Sequence, residues 1–535
     1  MDAGDGVSGS RQSSRVAEGP APAATGTAVD VRQPAEGRRR APFGLAHGVV
    51  PLAWAAAVAT ALMARPLLPV DETRYASVAW EMWRGGNYLV PHLNGAPYSD
   101  KPPLLFWLIA AGWRVIGPVE LWARLVGPVC GVASLALTAA LARRLWPEWG
   151  VVSRIAPIIL ASTMVWLVYS TLLLFDTLLT VCVLLAVIGL VDVRRGRRGG
   201  LALVAIGIGF GVLAKGPVVS LHVLPAMRLA GWCDVRQEMR VGSPVPGRAP
   251  LRHSSLALGG ATLAGVAIAL AWAIPAALAG GRAYGTAIFI GQTAGRVVNS
   301  FAHRRPLWWY VPNLLWMLLP WAAWPAVWRS VRRGRRDALS SDAGLRLCAA
   351  IVVPALAVFS VVSGKQVHYL LPEIPFVALA IARLAAGAAH EVDDRIGRRV
   401  RWIALGAFCV LAVVSVAGST TLHARYDVRP LATHLSSAEQ AGESLAHEGR
   451  YSGQYTFLGR LRHPLVEIPT DSVAAWLARH PNGRVVTYSR LPNAHGPGVL
   501  EVVRRLGNRF VVVRAASGSD EPASRSAQRD GRIRQ

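Results

Sequence analysis

Apolar runs of membrane-spanning length recur between about residue 47 and residue 422, and they leave this chain few folds to choose from. A bilayer core accepts helices, because their backbone groups are satisfied within the segment. The runs fall at roughly Gly48–Leu68, Leu121–Leu141, Val151–Tyr169, Leu172–Val191, Leu201–Ala214, Val218–Leu229, Leu256–Leu278, Leu307–Val327, Leu347–Val362, Tyr369–Ala386 and Ile403–Leu422. The expected fold is mainly α: a polytopic membrane protein with about eleven transmembrane helices. Only 16% of the 535 residues are charged, against roughly a quarter in soluble domains, which excludes a soluble enzyme.

The net charge of +26 does not point to nucleic acid, because the arginines cluster between apolar runs. With the N-terminus inside, the clusters Arg143–Arg144, Arg194–Arg198, Arg228–Arg252, Arg329–Arg336 and Arg395–Arg401 all fall on the cytoplasmic side. Residues 1–42 read as a disordered cytoplasmic tail, since they lack apolar periodicity. The transmembrane domain then covers 43–422, and its first outer loop covers 71–118. In that loop Thr73–Arg84 reads as a short amphipathic helix whose Trp80 and Trp83 suit the membrane interface. Pro102–Ile116 reads as a second interfacial or re-entrant helix. Residues 423–516 are expected to form a small outer α/β domain, with strands at Tyr455–Leu458, Leu465–Ile468, Arg484–Tyr488 and Arg509–Val513 and a helix at Asp471–Arg479. Residues 517–535 read as a disordered tail.

Among 57 basic residues only three are lysines, Lys101, Lys215 and Lys365, and the same parity puts all three on the outer side. Positive charge on that side needs a reason other than topology, and anion binding supplies one. Arg74, Arg296, His303, Arg304, Arg305 and His368 join them from the outer segments. Converging on one pocket, these groups would hold one or two phosphates; the competing reading is snorkelling to lipid phosphate.

Two acids stand out. Asp71 follows the first span and either caps the helix after it or does chemistry, with Glu72 beside it. Asp176 lies inside TLLLFDTLLTVCVLL, where an acid must face a polar cavity or a buried partner. Cations stabilise a departing phosphate and a carboxylate can take a proton, so the residues suggest transfer chemistry on a phosphorylated lipid. The rival reading is a flippase or transporter of lipid-linked sugars, which calls for polar residues deep within several spans. Neither a glycine-rich nucleotide loop nor metal-ligand cysteine spacing is present. No cofactor follows, and a divalent cation stays open.

VDETRYASVAWEMWRGGNYLVPHLNGAPYSDKPPLLFWL resembles the first outer loop of the lipid A aminoarabinose transferases, in the C-type class that includes the protein O-mannosyltransferases. LLLFDTLL, GVLAKGPV, RVVNSFAHRRPLWWYVPNLLWMLLPW and SGKQVHYLLPEIPF resemble further motifs of that class, in order, across about residues 48–390. The resemblance implies an integral protein of the bacterial inner membrane that takes a polyprenyl-phosphate-sugar donor and performs an inverting transfer at the periplasmic or extracellular face. The acceptor would be a lipid, glycan or protein. By matched position Asp71 is the main catalytic acid or base and Asp176 the second acidic position. Arg74, Lys101, Lys215 and Lys365 would bind the donor phosphate. Glu72, His92, Arg296, His303, His368 and Tyr369 would be further substrate contacts. One departure is Glu373, which stands where an apolar residue is more usual.

Overall fold

The structure, a computed structural model, describes residues 46–197, 199–229, 251–295, 305–329, 332, 341–387, 393–490 and 499–516. The two expected tails lie outside these. The first part runs α1 (Ala46–Met63), α2 (Asp71–Gly85), a hairpin of β1 (His92–Leu93) and β2 (Ala96–Pro97), α3 (Leu104–Ile116), α4 (Glu120–Leu145), α5 (Gly150–Ser162) and α6 (Met164–Tyr169). It continues through α7 (Phe175–Arg194), α8 (Gly200–Lys215), α9 (Val219–Arg228), α10 (Leu251–Thr286), α11 (Tyr310–Met317), α12 (Ala343–Val361), α13 (Ile374–Gly387) and α14 (Asp393–Tyr426). Among the described residues six helical segments are long and apolar enough to cross a membrane, and four shorter apolar helices accompany them.

The expected apolar runs fall mainly on helices, although the first helix ends at Met63, short of Leu68, and two runs are broken within. Thr163 is extended (ψ 129°), which splits the run 151–169 into α5 and α6, and the freed Met164 N–H donates to the Leu319 carbonyl at 2.8 Å. The run 307–327 is not one helix. It holds α11 and a 3₁₀ turn at Trp321–Ala323, because Pro320 and Pro325 cannot donate to a continuous ladder.

The central helix is α7, which is buried along most of its length. It lies close against α8 because small residues face each other. A Cβ at Gly207 would stand 2.6 Å from the Ala186 nitrogen and the Cys182 oxygen. Asp176 lies in the first turn of α7 and Asp192 in the last. At 1.5 Å per residue they are roughly 24 Å apart, close to the depth of a bilayer core. Asp192 pairs with Arg144 at 2.9 Å and Arg197 at 3.3 Å, so one end of the helix is tied into the arginine-rich side.

The last span runs without interruption into the terminal domain, since α14 ends only at Tyr426. α15 (Arg429–Gln440), β3 (Leu445–Glu448), β4 (Val466–Ile468), α16 (Val473–Arg479), β5 (Arg484–Ser489), β6 (Val499–Leu506) and β7 (Arg509–Ala515) follow. The sheet order is β4-β3-β5-β7-β6, with β3 parallel to β4 and β5, and β7 antiparallel to β5 and β6. The expected strand at Tyr455–Leu458 is instead a turn. Its Phe457 serves as the foot of the domain on α2 and α3, while Tyr455 packs in the domain's own core. Phe457 stacks on Trp113 with centroids 5.0 Å apart, and the Arg460 guanidinium lies over Trp80 and Phe457.

Ser77 of α2 is the polar centre of this contact. Its hydroxyl donates to the Gly453 carbonyl at 2.6 Å and accepts from the Phe457 N–H at 3.1 Å. Asn94 bonds both the carbonyl and the N–H of Leu465, at 2.9 and 2.8 Å. Ser77→Ala leaves a buried donor and acceptor without their partner, and it should cost about 1–3 kcal/mol. The measurement is the thermal unfolding of the purified protein in detergent, and an unchanged midpoint would contradict the contact.

Candidate active site

One cavity of about 320 Å³ gathers residues from five separate segments. The start of α2 supplies Asp71, Arg74 and Tyr75, and the loop after the hairpin supplies Tyr98, Asp100 and Lys101. The start of α7 brings Leu174, Phe175 and Asp176. The end of α8 brings Lys215, and the segment before α13 brings Gln366, His368 and Tyr369. All of these come from segments expected on the outer side.

The helix α2 begins at Asp71 itself. Val70 holds the cap position and no side chain caps the end, so the capping reading of Asp71 does not hold. Its carboxylate is about half exposed and lies 3.7 Å from Arg74 Nη1. Arg74 and Tyr75 stand three and four positions on, which puts all three on one face. Asp71 and Glu72 also sit in the first turn, where a carboxylate complements the helix dipole. Burial disfavours the charged Arg74, yet Tyr98 and Asp71 beside it hold its pKa above the ordinary value. Burial, reinforced by Asp100, pushes the Tyr98 phenol up. Burial and Asp71 do the same to Tyr75. Both phenols therefore remain O–H donors at neutral pH.

Across the cavity, Lys215 Nζ donates to Asp176 Oδ1 at 2.5 Å, and the carboxylate is almost fully buried. His368 Nε2 stands 4.0 Å from Asp176 Oδ2. The Lys215 ammonium also lies 4.9 Å from the Tyr369 ring centroid, and Lys101 Nζ lies 5.8 Å from the Phe175 ring. The buried partner of Asp176 is thus a lysine of the cavity itself.

Several expected contacts fall elsewhere. Glu72 points away from the cavity, because consecutive helical residues face different directions. It is buried and receives Arg65 Nη1 and Nη2 at 2.5 and 3.1 Å, with the Leu68 and Leu173 N–H groups at 2.9 and 2.7 Å. Lys365 is buried and donates to the carbonyls of Val362 and Arg305 at 2.6 and 3.0 Å, so its ammonium ties together two segments expected on the outer side and does not line the cavity. His92 binds the Val90 carbonyl through Nδ1 at the hairpin and does not line it either. Arg296 and His303 lie outside the described residues. Tyr75, Tyr98, Asp100 and Gln366 line the cavity without having been proposed as site residues. Helical spacing from Asp71 points to Tyr75, and proximity in sequence to Lys101 points to Tyr98 and Asp100. Among the described residues no three His, Cys, Asp or Glu side chains gather closely enough to hold a metal ion.

Residues 100–232 match the family model described as dolichyl-phosphate-mannose-protein mannosyltransferase. The undecaprenyl phosphate-alpha-4-amino-4-deoxy-L-arabinose arabinosyl transferase of Enterobacter sp. (strain 638) is 28% identical over 359 residues, 66% of this chain and 61% of that protein. The enzyme of the same name from Pseudomonas aeruginosa (strain UCBPP-PA14) is 31% identical over 310 residues, 56% of this chain and 52% of that protein. The chain therefore spans about three-fifths of the length of the curated relatives it matches, 61% for the Enterobacter protein. The crystal structure of ArnT from Cupriavidus metallidurans bound to undecaprenyl phosphate superposes with a TM-score of 0.65 at 19% identity, covering 88% of this chain and 99% of that one. Its apo form gives 0.67 at 18% identity. The chain has the ArnT fold. The ArnT fold here holds together its membrane helices, its first loop and its small sheet domain, and the cavity lies where that loop meets the ends of α7 and α8.

Proposed function

We propose that this chain is an inverting glycosyltransferase of the bacterial inner membrane. It moves a pentose or hexose from a polyprenyl-phosphate donor to a lipid, glycan or protein acceptor at the periplasmic face. The observation that carries this reading is the meeting of Asp71 and Asp176 with Arg74, Lys101 and Lys215 in one cavity. That cavity lies at the opposite end of α7 from the Asp192–Arg144 pair, which supports an outer location. The names of the relatives favour an undecaprenyl carrier and an aminopentose.

In this reading the acceptor hydroxyl attacks the anomeric carbon from the face opposite the phosphate. The new C–O bond forms as the bond from that carbon to the phosphate oxygen breaks. The electron pair leaves with the polyprenyl phosphate, and the hydroxyl proton passes to the Asp71 carboxylate. Lys101, Arg74 and Lys215 stabilise the charge that grows on the departing phosphate. Asp176 holds the Lys215 ammonium in place. An acceptor that is already anionic needs no base, and Asp71 would then orient it together with Arg74.

The test uses proteoliposomes, a labelled undecaprenyl-phosphate aminopentose or hexose, and lipid, glycan and protein fractions of a bacterial envelope. Label should pass covalently to one fraction as polyprenyl phosphate is released. Label that crosses the bilayer without transfer would mean a transporter. Lys101→Ala should raise the donor KM about tenfold to a hundredfold, since a hydrogen bond to a charged group is worth about 1.5–3 kcal/mol.

A further inference from the structure

Glu373 has no part in the reaction above, yet it is an acid within an apolar run and only 2% exposed. It ends the 3₁₀ turn Val367–Glu373, whose earlier residues His368 and Tyr369 enter the cavity. Its carboxylate accepts a hydrogen bond from Nδ1 of His222 on α9, and His222 is fully buried. His222 Nε2 and Glu373 Oε2 meet no other partner among the described residues. Two ionisable groups at this depth are expensive, and two apolar side chains would hold the helices together at least as well. Stability alone does not account for the pair.

Its position does. α9 begins at Val219, four residues after Lys215. The turn that carries Glu373 delivers the groups facing Lys215 from the other side. The His222 ring lies 5.8 Å from Phe359, Phe359 lies 5.8 Å from Tyr369, and Tyr369 faces the Lys215 ammonium. The other end of the turn is held by Tyr310, whose hydroxyl donates to the Gln366 carbonyl at 2.9 Å. A directional bond at each end fixes the turn along and about its axis, which apolar contact does not do.

We infer that Glu373 and His222 are a positioning pair that sets the register of His368 and Tyr369 against the Lys215–Asp176 pair. The inference rests on the cavity being the transferase site. Both residues act through the turn and touch no substrate.

The experiment compares Glu373→Leu, Glu373→Gln and the double variant Glu373→Leu with His222→Leu in proteoliposomes. Donor KM, kcat and unfolding midpoint are measured, together with hydrogen–deuterium exchange of the peptide covering Val367–Glu373. Glu373→Leu should lower kcat by about 10²-fold, the loss expected for a misplacement near 1 Å, with little change in donor KM. Exchange should rise in that peptide and stay unchanged in α2. Glu373→Gln keeps an acceptor for His222 and should restore most of kcat. The double leucine variant should unfold no earlier than the parent and still be slow. A folded double variant with parental kcat and parental exchange would overturn the inference. Raised exchange in Glu373→Leu, in a protein whose parent transfers no sugar, would leave the pair's role standing and overturn only the transferase reading.

Discussion

Replacing Asp71 by asparagine should lower sugar transfer by about 10²- to 10⁴-fold, the usual contribution of a general base, and should leave the protein folded. Among the described residues the carboxylate is half exposed, caps no helix end, and has one loose ionic neighbour, Arg74 at 3.7 Å. Asparagine keeps its shape and loses only its basicity and charge. The helix dipole would lose a favourable charge worth about 0.3–1 kcal/mol, too little to unfold the chain. Initial rates and unfolding midpoints of the two proteins side by side provide the measurement. Full activity in the variant would remove Asp71 from the chemistry.

Lys215→Ala should be costly in a different way. It leaves the Asp176 carboxylate buried without its ammonium, and removing one partner of a buried pair costs about 3–5 kcal/mol. A protein changed at both positions, Asp176→Leu with Lys215→Met, should recover that stability, because apolar residues of similar size pack without desolvation cost. It should not recover transfer. The comparison separates the structural role of the pair from its role at the cavity. An active double variant would show that neither group is needed there, and an Ala variant as stable as its parent would mean that the carboxylate is not buried as described.

Much of this site was legible in the sequence because charge in a membrane protein is confined by its cost. Arginine clusters marked one side, so each lysine on the other side needed an explanation, and Lys101 and Lys215 do line the cavity. Lys365 obeys the same sidedness but bonds two backbone carbonyls, a distinction composition cannot make. Asp71 and Glu72 are neighbours in sequence and differ by the turn of one helical residue. One faces the cavity and the other ties the link after α1 to the turn before Asp176. The terminal domain was less readable. β3 is four residues long and buried, with a weak alternation, and Tyr455–Leu458 has a strand composition because the turn is packed on two sides, Tyr455 in the domain's own core and Phe457 against α2 and α3. The break at Thr163 carries no proline signal of its own, so a single span was the natural expectation there.

The foot of the sheet domain also limits what can be exchanged between relatives. Ser77 and Asn94 bond its backbone, Glu120 receives Arg429 at 3.0 Å through both oxygens, and the Pro118 carbonyl receives Arg460. These four residues lie between α2 and the first residue of α4, while their partners lie between Arg429 and Leu465. A chimera that imports only the residues after 423 would inherit half of every one of these contacts. The first loop and the terminal domain therefore form a single heritable module, even though about three hundred residues of membrane helices separate them in the gene. A lineage that acquires a new terminal domain has to bring the matching loop, and with it the surroundings of Asp71.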